Sequence, residues 1–176
     1  DDSFAGAKYV MSPPLRKSSD RAALREALVR GEIDTIATDH CSFNLHGQKD
    51  RGRGDFRKIP NGGAGVEHRP ALVATSFAGE LGPTDLCRLM SENPAKVFGM
   101  WPAKGRLAEG ADADVCVWDP SVAWTISAAT QHQNVDHTPY EGFECQGRAR
   151  LTFVNGVLVA RDGEPTGEKP GRFVKR

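Results

Sequence analysis

An α/β segment followed by a β-rich one is the fold class this sequence predicts, and three observations carry it. Residues 1 to about 100 alternate short apolar runs with helical patterns, as chains built from βα units do. From Lys104 onward the texture turns to short apolar strands of alternating pattern. Asn155-Gly156 then joins two such strands, the strongest short-range hairpin signal there is. The 176 residues suffice for one ordinary domain, or for one and part of a second.

The elements follow in order. Tyr9-Val10-Met11 reads as a strand, followed by the rigid, extended Ser12-Pro13-Pro14. Ser19 is placed to cap a helix in which Ala23, Leu24, Ala27 and Leu28 form one apolar face, and Gly31 sits where a left-handed C-terminal cap belongs. Residues 33–38 are short and β-branched, a buried strand by length and flanks, ending abruptly at Thr38-Asp39-His40. The polar stretch over residues 41–67, rich in Gly, Arg and Lys, is too long for a connector and reads as a functional loop. Helices are expected over roughly 68–78 and from Thr84 with Leu86, Leu89 and Met90; Asn93-Pro94 reads as a cap that restarts a short helix to Phe98. Strands are expected over 113–118, stopping at Asp119-Pro120, over 122–126, over 148–154 and over 157–159. The tail from Glu164 has no pattern of its own and is expected to lie on a partner or neighbouring surface.

Composition removes several functions. Twenty-three Lys and Arg balance 23 Asp and Glu, so no charge excess draws the chain to nucleic acid or to an anionic membrane. No apolar run nears the roughly 18 residues of a membrane span. Cys41, Cys87, Cys116 and Cys145 form no CxxC, so reduced thiols in a cytoplasmic protein are expected. The chain opens on Asp1-Asp2-Ser3 without an initiator Met or an apolar leader, so no secretory signal is read there; a mature terminus and a cut through a larger protein both stand.

Among residues that carry chemistry, Asp39 stands first. It closes a strand and opens a long loop, where α/β barrels place catalytic groups, and a carboxylate there binds a metal or moves a proton. A turn or helix cap is the competing reading. His40, His46, His68, His132 and His137 form no HxH or HExxH pair, although His40 is a neighbour of Asp39. Pro60-Asn61-Gly62-Gly63-Ala64-Gly65 is a glycine-rich turn whose backbone can approach a ligand closely; without GK[ST] it is not a phosphate loop. Arg51-Gly52-Arg53-Gly54 lacks aromatic interleaving and reads as a solvated loop, and no serine lies in GxSxG.

Taken together, six segments resemble the D-hydantoinase/dihydropyrimidinase family of cyclic amidohydrolases. They are residues 9–16 (Tyr-Val-Met-Ser-Pro-Pro-Leu-Arg), 36–44 (Ile-Ala-Thr-Asp-His-Cys-Ser-Phe-Asn) and 58–69 around Pro60-Asn61-Gly62-Gly63. The others are 91–99 around Glu92-Asn93-Pro94-Ala95-Lys96, 104–114 around Lys104-Gly105-Arg106, and 132–142 around His137-Thr138-Pro139-Tyr140. They occur in the family's order along nearly the whole chain.

The resemblance implies the last βα units of a metal-dependent TIM barrel followed by C-terminal strands of a β-sandwich. Residues 1–103 would be the barrel part, 104–163 the sandwich part and 164–176 a C-terminal arm. The chain then looks like the C-terminal portion of a longer enzyme, since a whole barrel takes about 250 residues. By the same resemblance Asp39 ligates one of two zinc ions and shuttles the proton, while Ser12 and Asn61 hold the ring amide through backbone groups. The implied reaction opens a 5,6-dihydropyrimidine or 5-substituted hydantoin to an N-carbamoyl amino acid. The implied partners are a small cyclic amide or ureide and further copies of the chain in a homotetramer.

The family's HxH, carboxylated lysine and further histidines are absent, so this chain alone is expected to be inactive and metal-poor. Ala64 stands where the family usually has Pro. Two other roles compete: a non-catalytic assembly protein of the same fold, and a structural or oligomerisation module. Intact Asp39 and Asn61-Gly62-Gly63 favour the enzyme. Cys41-Ser42-Phe43-Asn44 and His68 lean toward dihydropyrimidinases, and allantoinases and dihydroorotases fit the segments less well.

Overall fold

The computed structural model describes residues 4–175; residues 1–3, read above for a leader, and Arg176 lie outside the described residues. The chain forms two compact units. One takes residues up to Ala27 with Ala37–Leu72 and Thr125–Cys145; the other takes Leu28–Ile36, Val73–Trp124 and the residues from Gln146 onward.

In the first unit the strand expected at Tyr9-Val10-Met11 is instead a 3₁₀ turn, Ala5–Tyr9, after which Val10 is extended. Helix α1 then spans Ser18–Val29, beginning one residue before the expected cap. The Lys17 amide bonds the Asp20 carboxylate at 3.1 Å, which satisfies an orphan donor at the helix start. Leu28 is buried, but Leu24 is 61% exposed, so the apolar face read from the sequence is mostly uncovered. Gly31 closes the helix as expected, with φ 77° and its amide bonded to the Leu28 carbonyl.

Residues 33–38 correct the reading. No strand forms there, and Ile33, Thr35, Ile36 and Thr38 are half-buried, not buried. A strand exists only with a neighbour to bond, and the Ile36 amide goes to the carbonyl of Leu89, a helical residue. The long polar loop carries two short 3₁₀ turns, Lys49–Gly52 and Phe56–Lys58, the second capped by Asp55 through the Arg57 amide.

Helix α2 covers Arg69–Ser76, shorter at both ends than expected. Helix α3, Pro83–Cys87, runs through a π-helical turn, Arg88–Glu92, into α4, Asn93–Val97. Asn93 is therefore helical, with φ −63° and ψ −43°, and not a cap. Pro94 has no N–H to continue the regular ladder, and the wider π turn lies just before it. The Asn93 side chain bonds the Asp34 carbonyl instead. Leu89 on the π turn is fully buried.

The sheet has four strands in the order β1-β2-β3-β4: Val115–Thr125, Glu144–Val154, Val157–Arg161 and Glu164–Pro165. β2 and β3 pair antiparallel, as do β3 and β4, with a bulge at Thr152/Phe153. Asn155 at φ 48° and Gly156 at φ 80° make the expected hairpin turn. The break expected at Asp119-Pro120 is absent, because β1 lies at the sheet edge, where a proline costs no ladder bond. Gly147, with φ 94°, packs under Trp118, leaving no room for a side chain.

The tail does not lie apart. Lys104 bridges Asp112, at 3.0 Å, and Asp114; Arg172 bonds Asp112, and the Asn155 side-chain nitrogen donates to the Pro170 carbonyl. The Asp114 carboxylate beside Lys104, against the cost of desolvation, raises the lysine pKa above its usual 10.5. A raised folded value means the stabilisation is complete below pH 10.5 and is lost as pH rises through the folded value. Thermal melting of the wild type should therefore fall more steeply above pH 10.5 than that of Lys104→Met, with the two curves converging at high pH.

Candidate functional site

Ser12, Asp39 and Asn61, the three residues singled out from the sequence, line one cavity of about 660 Å³ in the first unit. Thr38, Met11 and Tyr140 share its wall. Asp39 is exposed to the cavity's solvent and stands in the left-handed region, φ 47°. Non-glycine residues enter that region at a cost, and such strain concentrates at functional positions.

The glycine-rich turn owes its place to a backbone crossing. The Gly62 amide bonds the Val10 carbonyl at 3.1 Å, and the Cys41 amide bonds the Gly63 carbonyl at 3.2 Å. A Cβ on Gly62 would stand 2.2 Å from the Cys41 carbonyl oxygen, so only glycine fits. Ser12 and Asn61, on the two crossing segments, thereby come to the same cavity as Asp39.

His40 supports the glycine-rich turn. Its Nδ1 accepts from the Gly65 and Val66 amides, at 3.1 and 3.2 Å, so that nitrogen carries no hydrogen and the ring pins the end of the turn. His68 is buried, held neutral because burial pushes its pKa down, and its ring meets that of Tyr140 edge-on at 6.4 Å. Burial likewise pushes the Tyr140 phenol up, so Tyr140 stays a neutral donor at ordinary pH.

Two carboxylates fix the loop against residues 132–142. Asp136 accepts from the Leu45 and His46 amides, at 2.6 and 2.9 Å, while the Asp136 amide bonds the Asn44 side chain. Glu67 accepts from the His132 and Gln133 amides and meets the His132 ring at 3.1 Å. His46, His132 and His137 thus serve or adjoin scaffolding contacts. Among the described residues no three His, Cys, Asp or Glu side chains stand together as a metal site.

Sequence reasoning missed Tyr140 and Lys49. Tyr140 lies in the His-Thr-Pro-Tyr segment, which resembled the family without marking a wall residue. Lys49 reads as one more charge in a polar loop, yet it is fully buried.

A family model described as the amidohydrolase family matches residues 8–159. The D-hydantoinase of Ralstonia pickettii is 42% identical over 175 residues, 98% of this chain and 38% of that protein. Among solved structures, D-hydantoinase from Bacillus sp. AR9 aligns with a TM-score of 0.92 at 42% identity, covering 96% of this chain and 37% of that one. Dihydropyrimidinase from Brevibacillus agri NCHU1002 aligns with a TM-score of 0.91 at 41% identity, covering 94% and 36%. The chain spans under two fifths of the length of these relatives. No helix among the described residues is long and apolar enough to cross a membrane.

Proposed function

The chain belongs to the amidohydrolase family, and from that premise we propose that it is the C-terminal portion of a longer cyclic amidohydrolase of the D-hydantoinase/dihydropyrimidinase kind. The reaction is the opening of a 5,6-dihydropyrimidine or a 5-substituted hydantoin to an N-carbamoyl amino acid. The convergence of Ser12, Asp39 and Asn61 on one cavity is the observation that carries this reading. Residues 1–103 then close the barrel, 104–163 supply sandwich strands and 164–176 form the arm. Intact Asp39 and Asn61-Gly62-Gly63 favour catalysis over a purely assembling role.

In this reading the backbone at Ser12 and Asn61 orients the ring amide, and Asp39 moves the proton. Water adds its oxygen to the ring carbonyl carbon and gives a proton to Asp39; the ring C–N bond breaks, and Asp39 returns that proton to the leaving nitrogen. A general base so placed typically contributes 10²–10⁴-fold. The described residues do not fit a binuclear zinc centre by themselves: Asp39 is one carboxylate, and such sites take three or four protein ligands. Asp39 would offer a zinc ion one carboxylate ligand, the remaining ligands would have to come from the rest of the proposed longer protein, and this chain alone is proposed to be inactive.

The enzyme is proposed to be cytoplasmic and tetrameric. Phe173, 91% exposed just beyond the anchored Arg172, gives the arm an apolar residue to place on another copy. Ring opening of dihydrouracil and hydantoin, followed as N-carbamoyl product, tests the reading. The full-length protein should turn over at least one of them, and the isolated chain neither. An inert full-length protein refutes the reading, and zinc-dependent hydrolysis by the isolated chain refutes its division of the site.

A further inference from the structure

Lys49 lies in the middle of a polar loop at 0% exposure. Its ammonium donates to the Val10 carbonyl and to the Pro60 carbonyl, both at 2.9 Å. Neither acceptor is charged. Burying an ammonium without a carboxylate is costly, and burial does push its pKa below the usual 10.5, with the Cys41 thiol acting the other way. A methionine would fill similar volume without that cost, so packing does not account for a lysine here. Its donors do.

The acceptors are informative. Ser12 follows Val10 by two residues, and Asn61 follows Pro60 directly. The Val10 carbonyl also accepts from the Gly62 amide at 3.1 Å, so one oxygen ties the first segment both to Lys49 and to the glycine-rich turn. The Lys49 nitrogen is the second tie between them, entering from the loop at the side of Pro60.

We propose that Lys49 is a positioning residue for substrate binding: bonded at once to the Val10 and Pro60 carbonyls, it sets the spacing between the backbone that carries Ser12 and the backbone that carries Asn61. The inference rests on the cyclic-amide reading above. Asp39 lies on neither tied segment, so loss of the tie weakens the hold on the ring amide and leaves the proton-moving group in place. A merely structural lysine would lower stability without separating KM from kcat.

The test uses the full-length enzyme, with hydantoin and dihydrouracil as substrates and amide hydrogen exchange at Gly62 as a readout independent of turnover. Lys49→Met should raise KM at least tenfold, keep kcat within about threefold, and speed Gly62 exchange at least tenfold. Lys49→Arg keeps donors but is longer, and should give an intermediate KM. An unchanged KM in Lys49→Met, or a fall in kcat at unchanged KM, overturns the proposal. If Lys49→Met does not fold, Lys49→Arg decides: a raised KM at preserved kcat supports the proposal, and a wild-type KM overturns it. Should the wild type hydrolyse neither substrate, the cyclic-amide reading fails, and Gly62 exchange then judges the tie alone; exchange unchanged in Lys49→Met overturns it.

Discussion

Replacing Asp39 by asparagine is expected to lower kcat for ring opening by roughly 10²–10⁴-fold, the span typical of losing a positioned proton-transfer group. The substitution is chosen for the backbone. Asp39 holds φ 47°, and asparagine is among the few residues that accept the left-handed region readily. The shape of the site and the melting temperature should therefore stay near wild type, and the loss should fall on chemistry. Alanine would add strain and confuse the two. Steady-state kinetics on hydantoin with the full-length enzyme, paired with thermal melting, check the result. A kcat within tenfold of wild type would remove Asp39 from its proposed role.

Gly62→Ala should be the most damaging small substitution in the cavity wall. Its methyl would meet the Cys41 carbonyl oxygen at 2.2 Å and the Cys41 Cβ at 3.0 Å, at a backbone φ of 156°. Neither contact is the far end of a flexible side chain, so the backbone itself has to move. Backbone strain costs about 1–3 kcal/mol and overpacking about as much again. A melting temperature lowered by roughly 4–24 °C follows for a chain of this size. Substrate affinity should fall with it, because Asn61 adjoins the displaced residue. Gly54→Ala is the control: at φ 80° it carries conformational strain, but nothing lies within 4 Å of its Cβ. Equal melting temperatures for the two variants would mean that the crossing at Cys41 is looser than its geometry implies.

How much of this could be read from residues alone depended on where each residue finds its partners. Asn155-Gly156 was legible because a two-residue turn contains its own explanation. Gly31 was legible for the same reason. Residues 33–38 looked like a strand and are not one, since a ladder depends on neighbours that a local pattern does not contain. Asp119-Pro120 looked like a stop because sequence does not say that β1 is an edge. In the site, Asp39 was conspicuous as a carboxylate after an apolar run, and Asn61 as part of a glycine-rich turn. Lys49 was hidden, because both of its acceptors are backbone carbonyls, 39 and 11 residues away. Backbone carbonyls leave no mark in a sequence.

The bonds that pin the site loop to residues 132–142 also bear on the entropy the chain gives up on closing. The bond from the Asp136 amide to Asn44 closes a separation of 92 residues, and that from the His132 amide to Glu67 closes 65. The β2–β3 hairpin closes across two. Loop-closure entropy grows with the length enclosed, by about 0.6 kcal/mol per doubling, and non-local pairings form slowly. The hairpin therefore carries the smaller closure cost and the contacts of the site loop with residues 132–142 the larger one. The wall of the cavity thus rests on the contacts whose closure costs the chain the most entropy.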